Sequence, residues 1–485
     1  MRRHVVVVGG GVTGLAAAHR LAAAGAAAPA VALVEATGRL GGRVRTATVA
    51  GRVVDTGPEA LLTRPSWAVD EVERAGLGGD LVAPAPLPSL VFAAGALRPL
   101  PAGVLAGMPA GPAPLLRSRI LSPAGVARAG FDLVLPQRRR EQDESIGALV
   151  RRRLGDEMLE RVIEPLLGGI HAGSCDALSV RAVAPQLAAA SRHRGGLVRG
   201  LRAGAAQAPK PAPGAPPRPF MLGMRGGLAR LAQALAAGLP EGVAVRTGAA
   251  VQTLARRDGR WELRLDGADA VRCDAVVLAV PAPVAARLLT AAAPVAAAEL
   301  APVVTASVAV VTAAVAPAGE ARLPQATGFF VAPPERRTIT AATFTTRKWP
   351  HLARAGEPGL LRLSVGSAGD QSALELGDAD LATAALDDLR RITGVGLDVA
   401  EVQVTRHRGA FPQYEVGHLE RLARLDAALA DLPGLRLAGS SYRGAGVPAC
   451  IHQGHEAADA VLAHLQDDDR PRAERAGLTL RGAVT

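Results

Sequence analysis

The chain has 485 residues, 49% of them hydrophobic and 20% charged. That balance excludes a disordered polyelectrolyte and leads one to expect two or three domains. The formal charge of +11 rests on arginine, with Lys210 and Lys348 the only lysines; alongside abundant Ala and Gly it reads as codon bias plus a use for anionic small molecules or an anionic membrane surface, not nucleic acid. Aromatics make up 2%, too few for a single-strand stacking platform. Cys175, Cys273 and Cys450 stand far apart without CxxC or Cys/His spacing. No disulfide framework or metal site is expected, and the chain suits a reducing cytosol.

In chain order, Met1 to His4 lead at once into Val5 to Val8, an apolar run too short for a secretory signal and suited to a strand buried on both faces. A glycine turn, Gly9 to Gly14, leads to a helix over Leu15 to Ala24 that Gly25 ends. Val31 to Val34 is a second buried strand followed by Glu35, completing a βαβ unit. Apolar spacing predicts a helix from Ser145 to Ile163 that Pro165 stops. The arginine runs 138–140 and 151–153 interleave with acids and read as a solvated helix face. Positions 203–219 hold a Pro-rich loop, and Gly226-Gly227 opens a helix through Leu239. Val243 to Leu265 reads as paired strands turning at Asp258-Gly259, and Val271 to Val280 as a further strand. The apolar stretch Pro294 to Pro317 carries Glu299 and Pro302, so a strand pair or a helix fits better than a membrane span. Positions 300–420 alternate strands and turns around one helical stretch, Leu374 to Ile392. Leu435 to Ala438 is a last buried strand, Gly439 to Pro448 a glycine-rich loop and Ala449 to Leu465 a helix, with a frayed tail after Gln466.

Three motifs carry chemistry. Gly9-x-Gly11-x-x-Gly14 sits between strand and helix. Gly9 permits the turn, Gly11 lets a pyrophosphate approach the backbone, and Gly14 lets helix and strand pack. Glu35 ends the next strand where it can accept from a ribose hydroxyl. The second motif, Gly38-Arg39-Leu40-Gly41-Gly42-Arg43, brings another glycine pair and two cations, and Asp55-Thr56-Gly57-Pro58-Glu59-Ala60 follows. The third is Gly439 to Ile451, a strand entering a glycine-rich loop and then a helix, with Pro448 in its first turn. The dipole of that helix favours negative charge on a ligand at its start. The GG doublet and the 55–60 segment resemble those of FAD enzymes of the amine oxidase-like superfamily, in which the latter lies along the flavin.

Four further blocks narrow the resemblance. They are Pro165-Leu166-Leu167-Gly168-Gly169-Ile170-His171-Ala172-Gly173 with Leu178 to Arg181, Phe220 to Leu231, Phe411-Pro412-Gln413-Tyr414 with Gly417-His418, and Gly444 to Cys450. Over about 1–465 the sequence resembles the oxygen-dependent protoporphyrinogen/coproporphyrinogen oxidases of haem synthesis, and Lys348-Trp349-Pro350 resembles their coproporphyrinogen-using bacterial branch. The resemblance implies an α/β fold: a Rossmann-like FAD-binding domain with an inserted α+β substrate domain and a helical domain. The implied division is 1–88, 220–295 and 426–466 for FAD binding, 89–202 helical and membrane-contacting, 203–219 the Pro-rich loop, 296–425 for substrate, and 467–485 a tail.

It also implies non-covalent FAD held by Gly9, Gly10, Gly11, Val12, Thr13, Gly14, Glu35, Ala36, Gly41, Gly42, Arg43, Gly57, Pro58, Glu59, Ala60, Val251, Gly439, Gly446, Val447 and Pro448. The flavin abstracts hydride from the porphyrinogen in three rounds, and dioxygen reoxidises it to give hydrogen peroxide. No side chain is assigned as catalytic and no metal is expected; His452-x-x-His455-Glu456 lacks further ligands. Arg98, Lys348 and Arg443 are the candidates for substrate carboxylates. Ser89 and Leu90 stand where several relatives carry an arginine, so that contact does not transfer. The implied partners are porphyrinogen and dioxygen, with a membrane surface at the periphery of a cytoplasmic protein and a downstream chelatase as further classes; oligomeric state is left open. The alternatives are protoporphyrinogen IX oxidase, an amine oxidase or carotenoid desaturase-like flavoenzyme, and a non-catalytic flavoprotein.

Overall fold

A run of four valines flanked by glycine can be buried on both sides, and the structure uses it that way. The computed structural model describes residues 2–101, 104–105, 108–109, 112–134, 142–207, 219–267 and 269–469. The arginine run 138–140, positions 208–218 of the Pro-rich stretch and the tail from 470 onward lie outside the described residues. His4–Val8 is the centre of a five-stranded parallel sheet, with Ala30–Val34 and then Ala244–Arg246 on one side, Ala275–Leu278 and then Leu435–Leu437 on the other. Val5 and Val7 pack into one core with the helices Val12–Ala22, Ala229–Ala237 and Val447–Asp469. Val6 and Val8 pack into another, with a three-stranded antiparallel sheet and the helices Ala282–Leu289, Pro294–Leu300 and His418–Leu429. The turn at Asp258-Gly259 joins two of those antiparallel strands, both residues at positive φ as a tight hairpin requires.

A second sheet has seven strands: Val399–Pro412, Thr305–Val315, Gly359–Val365, Ile339–Phe344, Gly328–Val331, Ser89–Ala93 and Ala96–Pro99, in that spatial order. Residues 89–99 fall in the span expected to be helical, yet they close the edge of this sheet by parallel pairing with Gly328–Val331. The two faces differ. Phe92, Phe329, Ala342, Leu363 and Val311 form a core under the helix Asp378–Thr393. Residues paired in register share the opposite face. Arg98 pairs with Val91, Val91 with Phe330, Thr343 with Arg362, and Arg362 with Thr312. That face is polar in part and turns toward the glycine-rich segments and the helical region.

The helical region packs around Ile146, Leu149, Val162, Ile163 and Leu187. The helix expected over Ser145 to Ile163 is broken. Ser145 caps Ile146–Leu154 by accepting from the Ala148 N–H at 3.1 Å, and Gly155 at φ +91° ends it. A short turn then leads into a wide-wound π segment, Leu159–Gly168. Pro165 lies inside that segment rather than stopping it, because wider winding draws the preceding turn's carbonyl away from the proline ring. The stretch Pro294 to Pro317 is a helix, Pro294–Leu300, followed by a strand from Thr305.

Candidate functional site

The glycines of the first two motifs meet. Gly9 has φ +105°, and a Cβ there would strike the Ala279 carbonyl. A Cβ on Gly14 would enter the Gly9 carbonyl, so this residue lets the helix sit on its strand. Gly41 donates its N–H to the Gly10 carbonyl at 2.8 Å, and a Cβ on Gly42 would lie 3.0 Å from the Gly11 Cα. Gly11 differs: a Cβ there would meet nothing nearer than the Gly42 Cα at 3.9 Å. Packing therefore does not explain Gly11, whereas a ligand approaching the helix N-terminus does. Val12 and Thr13 form the first turn of that helix and are buried. Glu35 accepts the Gly10 N–H at 2.7 Å on one oxygen, and the Thr37 N–H at 2.8 Å and hydroxyl at 2.7 Å on the other. The acid thus braces the turn, and its spare lone pairs stay free for a ribose. Ala36 is exposed beside it, and Val251 opens the strand just after Ala249, whose N–H donates to the Glu35 carbonyl at 2.9 Å.

Arg43 ties three distant segments together. Its guanidinium donates to the Ser440 hydroxyl and to the Gly409 carbonyl, both at 2.9 Å, and burial lowers its pKa. Gly57 passes so close to the Arg43 carbonyl that no Cβ would fit. The C-terminal loop is fixed from the other side by Tyr414, whose hydroxyl donates to the Ser440 carbonyl at 2.7 Å and accepts the Gly444 N–H at 2.9 Å. Its ring stacks on His418 at 4.1 Å, and burial pushes the phenol pKa up. Gly439 lies against Thr13, and Gly454 lets the last helix press on the Thr13 carbonyl. Gly446, Val447 and Pro448 therefore enter the last helix, Val447–Asp469, beside the start of the first helix. Cys450 is buried with its thiol pushed up to about 11, a packing group rather than a nucleophile.

The Gly57-Pro58-Glu59-Ala60 loop rests on charge. Burial alone would raise the Glu59 carboxyl, but Lys348 and then Arg362 hold it down at about 2. Lys348 contacts one Glu59 oxygen, Arg362 donates to the other at 2.8 Å, and Arg362 also donates to the Gly57 carbonyl at 2.8 Å. Trp349 lies under the Lys348 ammonium, 5.3 Å from ring centre, and Gly223 makes room for its ring. Asp55 accepts the Leu228 N–H at 2.8 Å, and burial pushes its carboxyl up to about 7.

The three candidate cations are not brought together. Lys348 is committed to Glu59, and Arg443 to Asp426 at the surface. Arg98 has no carboxylate partner among the described residues, and it shares the polar face of the seven-stranded sheet with Arg362, four strand spacings or about 19 Å away. Arg362 was missed by sequence reasoning, although a lone charge in the apolar strand Gly359–Val365 is the kind of signal that marks a buried partner. Asp55 was seen only as part of a motif. Among the described residues no group of three metal-ligating side chains is assembled, and His452 stacks on Trp67 at 3.8 Å instead. No described helix is long and apolar enough to cross a membrane.

Comparison with known proteins agrees with this geometry. The model of the flavin-containing amine oxidoreductase family matches residues 12–462. The chain is 34% identical to a coproporphyrinogen III oxidase of Bacillus subtilis, over 96% of this chain and 99% of that protein. It is 35% identical to a coproporphyrinogen III oxidase of Mycobacterium bovis, covering 96% and 98%. A solved structure from Exiguobacterium, assigned as a protoporphyrinogen oxidase, superposes with a TM-score of 0.84 at 32% identity, covering 96% of this chain and 99% of that one. The cofactor class is a flavin.

Proposed function

The chain belongs to the flavin-containing amine oxidoreductase family, and within it we propose that it is an FAD-dependent coproporphyrinogen III oxidase of haem synthesis. The reaction is a six-electron oxidation of the porphyrinogen to coproporphyrin III, with dioxygen as acceptor and hydrogen peroxide released. One observation carries the reading. The cradle at Gly11 is open where a Cβ would sit, inside a chain that matches coproporphyrinogen III oxidases over 96% of its length.

The residues present fit FAD. The open cradle takes the diphosphate at the N-terminus of the first helix, where N–H donors and the helix dipole favour anions. Arg43 adds a buried cation, Glu35 reaches the adenosine ribose with Ala36 and Val251 beside it, and the Gly57 to Ala60 loop follows the ring system. Gly446 to Pro448 direct the last helix's positive end at its far edge. Bound FAD supplies the acceptor for a hydrogen and its electron pair and passes the electrons to dioxygen. The protein's part is to hold the macrocycle against that loop and exclude competing reactions. Arg98 is the cation we assign to a propionate, since Lys348 and Arg443 already answer carboxylates of their own. Exposed Leu116, Phe131 and Val134 on the helical region support peripheral contact of a cytoplasmic protein with a membrane surface.

The test is direct. The purified protein should be yellow, and air with coproporphyrinogen III should yield porphyrin fluorescence. No product from either porphyrinogen, with FAD bound, overturns the reading. Faster turnover of protoporphyrinogen replaces it with the sister activity.

A further inference from the structure

Behind the Gly57–Ala60 loop lies a small cleft, walled by Asp55, Glu59, Trp349, His351, Thr345 and Arg362. Three residues that line this cleft each carry a buried polar atom with no hydrogen-bond partner: the Thr345 hydroxyl, His351 Nδ1 and Arg362 Nε. Leaving such atoms dry costs about 1–3 kcal/mol each. A polar space with two or more convergent partners is instead one that holds water. Asp55 stands at the inner wall of the same cleft, beside the loop that Arg362 and Glu59 anchor.

We propose that this cleft holds a chain of ordered waters joining the Asp55 carboxyl to bulk solvent, and that this chain is the proton route to and from the flavin-facing loop. The proposal rests on the oxidase reading above. Over three rounds the porphyrinogen loses six hydrogens, four from its bridging carbons and two from nitrogen; in each round one leaves carbon with its electron pair and one leaves as a proton. Dioxygen takes the two electrons and two protons and leaves as hydrogen peroxide. Protons must therefore leave and enter the site. Asp55 accepts one and hands it to water; Glu59 cannot, because its two cations keep it ionised.

The groups facing Asp55 are Glu59 on the loop, Arg362 on the strand Gly359–Val365, and the Leu228 N–H at the start of the helix Ala229–Ala237. Lys348 acts through Glu59, and Arg225 bears on His351 rather than on Asp55. With its carboxyl titrating near neutrality, Asp55 can toggle at working pH.

Two measurements on the FAD-loaded enzyme test this. A high-resolution crystal structure should show waters within hydrogen-bond distance of Thr345 Oγ1, His351 Nδ1 and Arg362 Nε; a dry cleft overturns the proposal. Asp55→Asn keeps an acceptor for the Leu228 N–H. It should lower kcat about a hundredfold, the low end for a positioned proton-transfer group. It should also remove the fall in kcat that the wild type shows as pH drops below about 7. Thr345→Val, which breaks the water chain without touching Asp55, should lower kcat and leave KM unchanged. If wild type forms porphyrin and both variants keep its pH profile and kcat, the proton route is wrong while the oxidase reading stands. If wild type forms no porphyrin from either substrate, the oxidase reading fails and the relay with it.

Discussion

The glycine cradle and the charged cleft lie on either side of one short loop, and they are built by opposite means. The cradle is made of absences: at Gly9, Gly14, Gly42 and Gly57 the backbone comes so close to its neighbours that a side chain would collide. The cleft is made of polar and aromatic side chains from three separate segments, Asp55 to Glu59, Thr345 to His351 and Arg362. Geometry in the first is steric, backbone against backbone. In the second it is distant and electrostatic. The two regions should therefore fail differently when altered, the first through shape and the second through charge.

The sharpest contrast lies inside the cradle itself. Gly14→Val places a side chain in the Gly9 carbonyl, and a forced clash in a packed βαβ unit is expected to cost more than about 4 kcal/mol. The expected outcome is no soluble folded protein. Gly11→Val puts its Cβ in open space at an ordinary φ of −72°, so the fold should survive at a cost of about 1 kcal/mol for the helix cap. That variant should purify folded and colourless. A yellow Gly11→Val protein would show that the gap at Gly11 does not serve the diphosphate.

The second prediction breaks the cleft by charge alone. Glu59→Gln is nearly isosteric but leaves Lys348 and Arg362 without their anion, with side chains only 17% and 11% exposed. Removing one member of such a pair typically costs about 3–5 kcal/mol. Urea unfolding should show that loss. An unchanged midpoint would mean that the two cations find other partners and that the loop does not rest on them.

How much of this was legible follows the same division. The cradle was readable because its glycines stand in short motifs at a strand end and a helix start, even though the contacts that exclude side chains at Gly9 and Gly42 come from Ala279 and Gly11. So was the entry of Pro448 into the last helix. The cleft was not. Lys348 looked like a free cation for substrate, and nothing near it in sequence announces Glu59, 289 positions away. Arg362 sits in a strand that reads as core. Residues 89–99 read as the start of the helical region because their partner, Gly328–Val331, comes far later in the chain. Pro165 was taken as a helix stop because π winding leaves no local mark that distinguishes it from α periodicity.

A third prediction uses pH to separate the two acids at the loop. The Asp55 carboxyl is raised, so its contribution to stability is full below about 4, the unfolded value, and is lost as pH rises through about 7. Glu59 is lowered, so its contribution is present above about 4.5 and lost as pH falls through about 2. Above about 4.5 only Asp55 of these two acids changes state, and Asp55→Asn should abolish its share of the slope up to about 7. Thermal melts of the flavin-free protein across that range should show Asp55→Asn gaining on wild type as pH rises. Parallel curves would mean that Asp55 titrates normally.

The smallest effect is expected where a sequence candidate turned out to lie outside both regions. Arg443 lies within the glycine-rich loop, and on sequence it is as good a carboxylate partner as Lys348. The structure pairs it with Asp426, with the two side chains 48% and 57% exposed. A solvent-screened pair of that kind is worth about 0–1 kcal/mol. Arg443→Ala should therefore shift stability by less than about 1 kcal/mol and leave KM for coproporphyrinogen within about twofold. Arg98→Ala, on the polar face of the seven-stranded sheet, should raise KM clearly. If the two results came out reversed, the propionates would be read at the C-terminal loop, and the polar sheet face would have lost its assigned role.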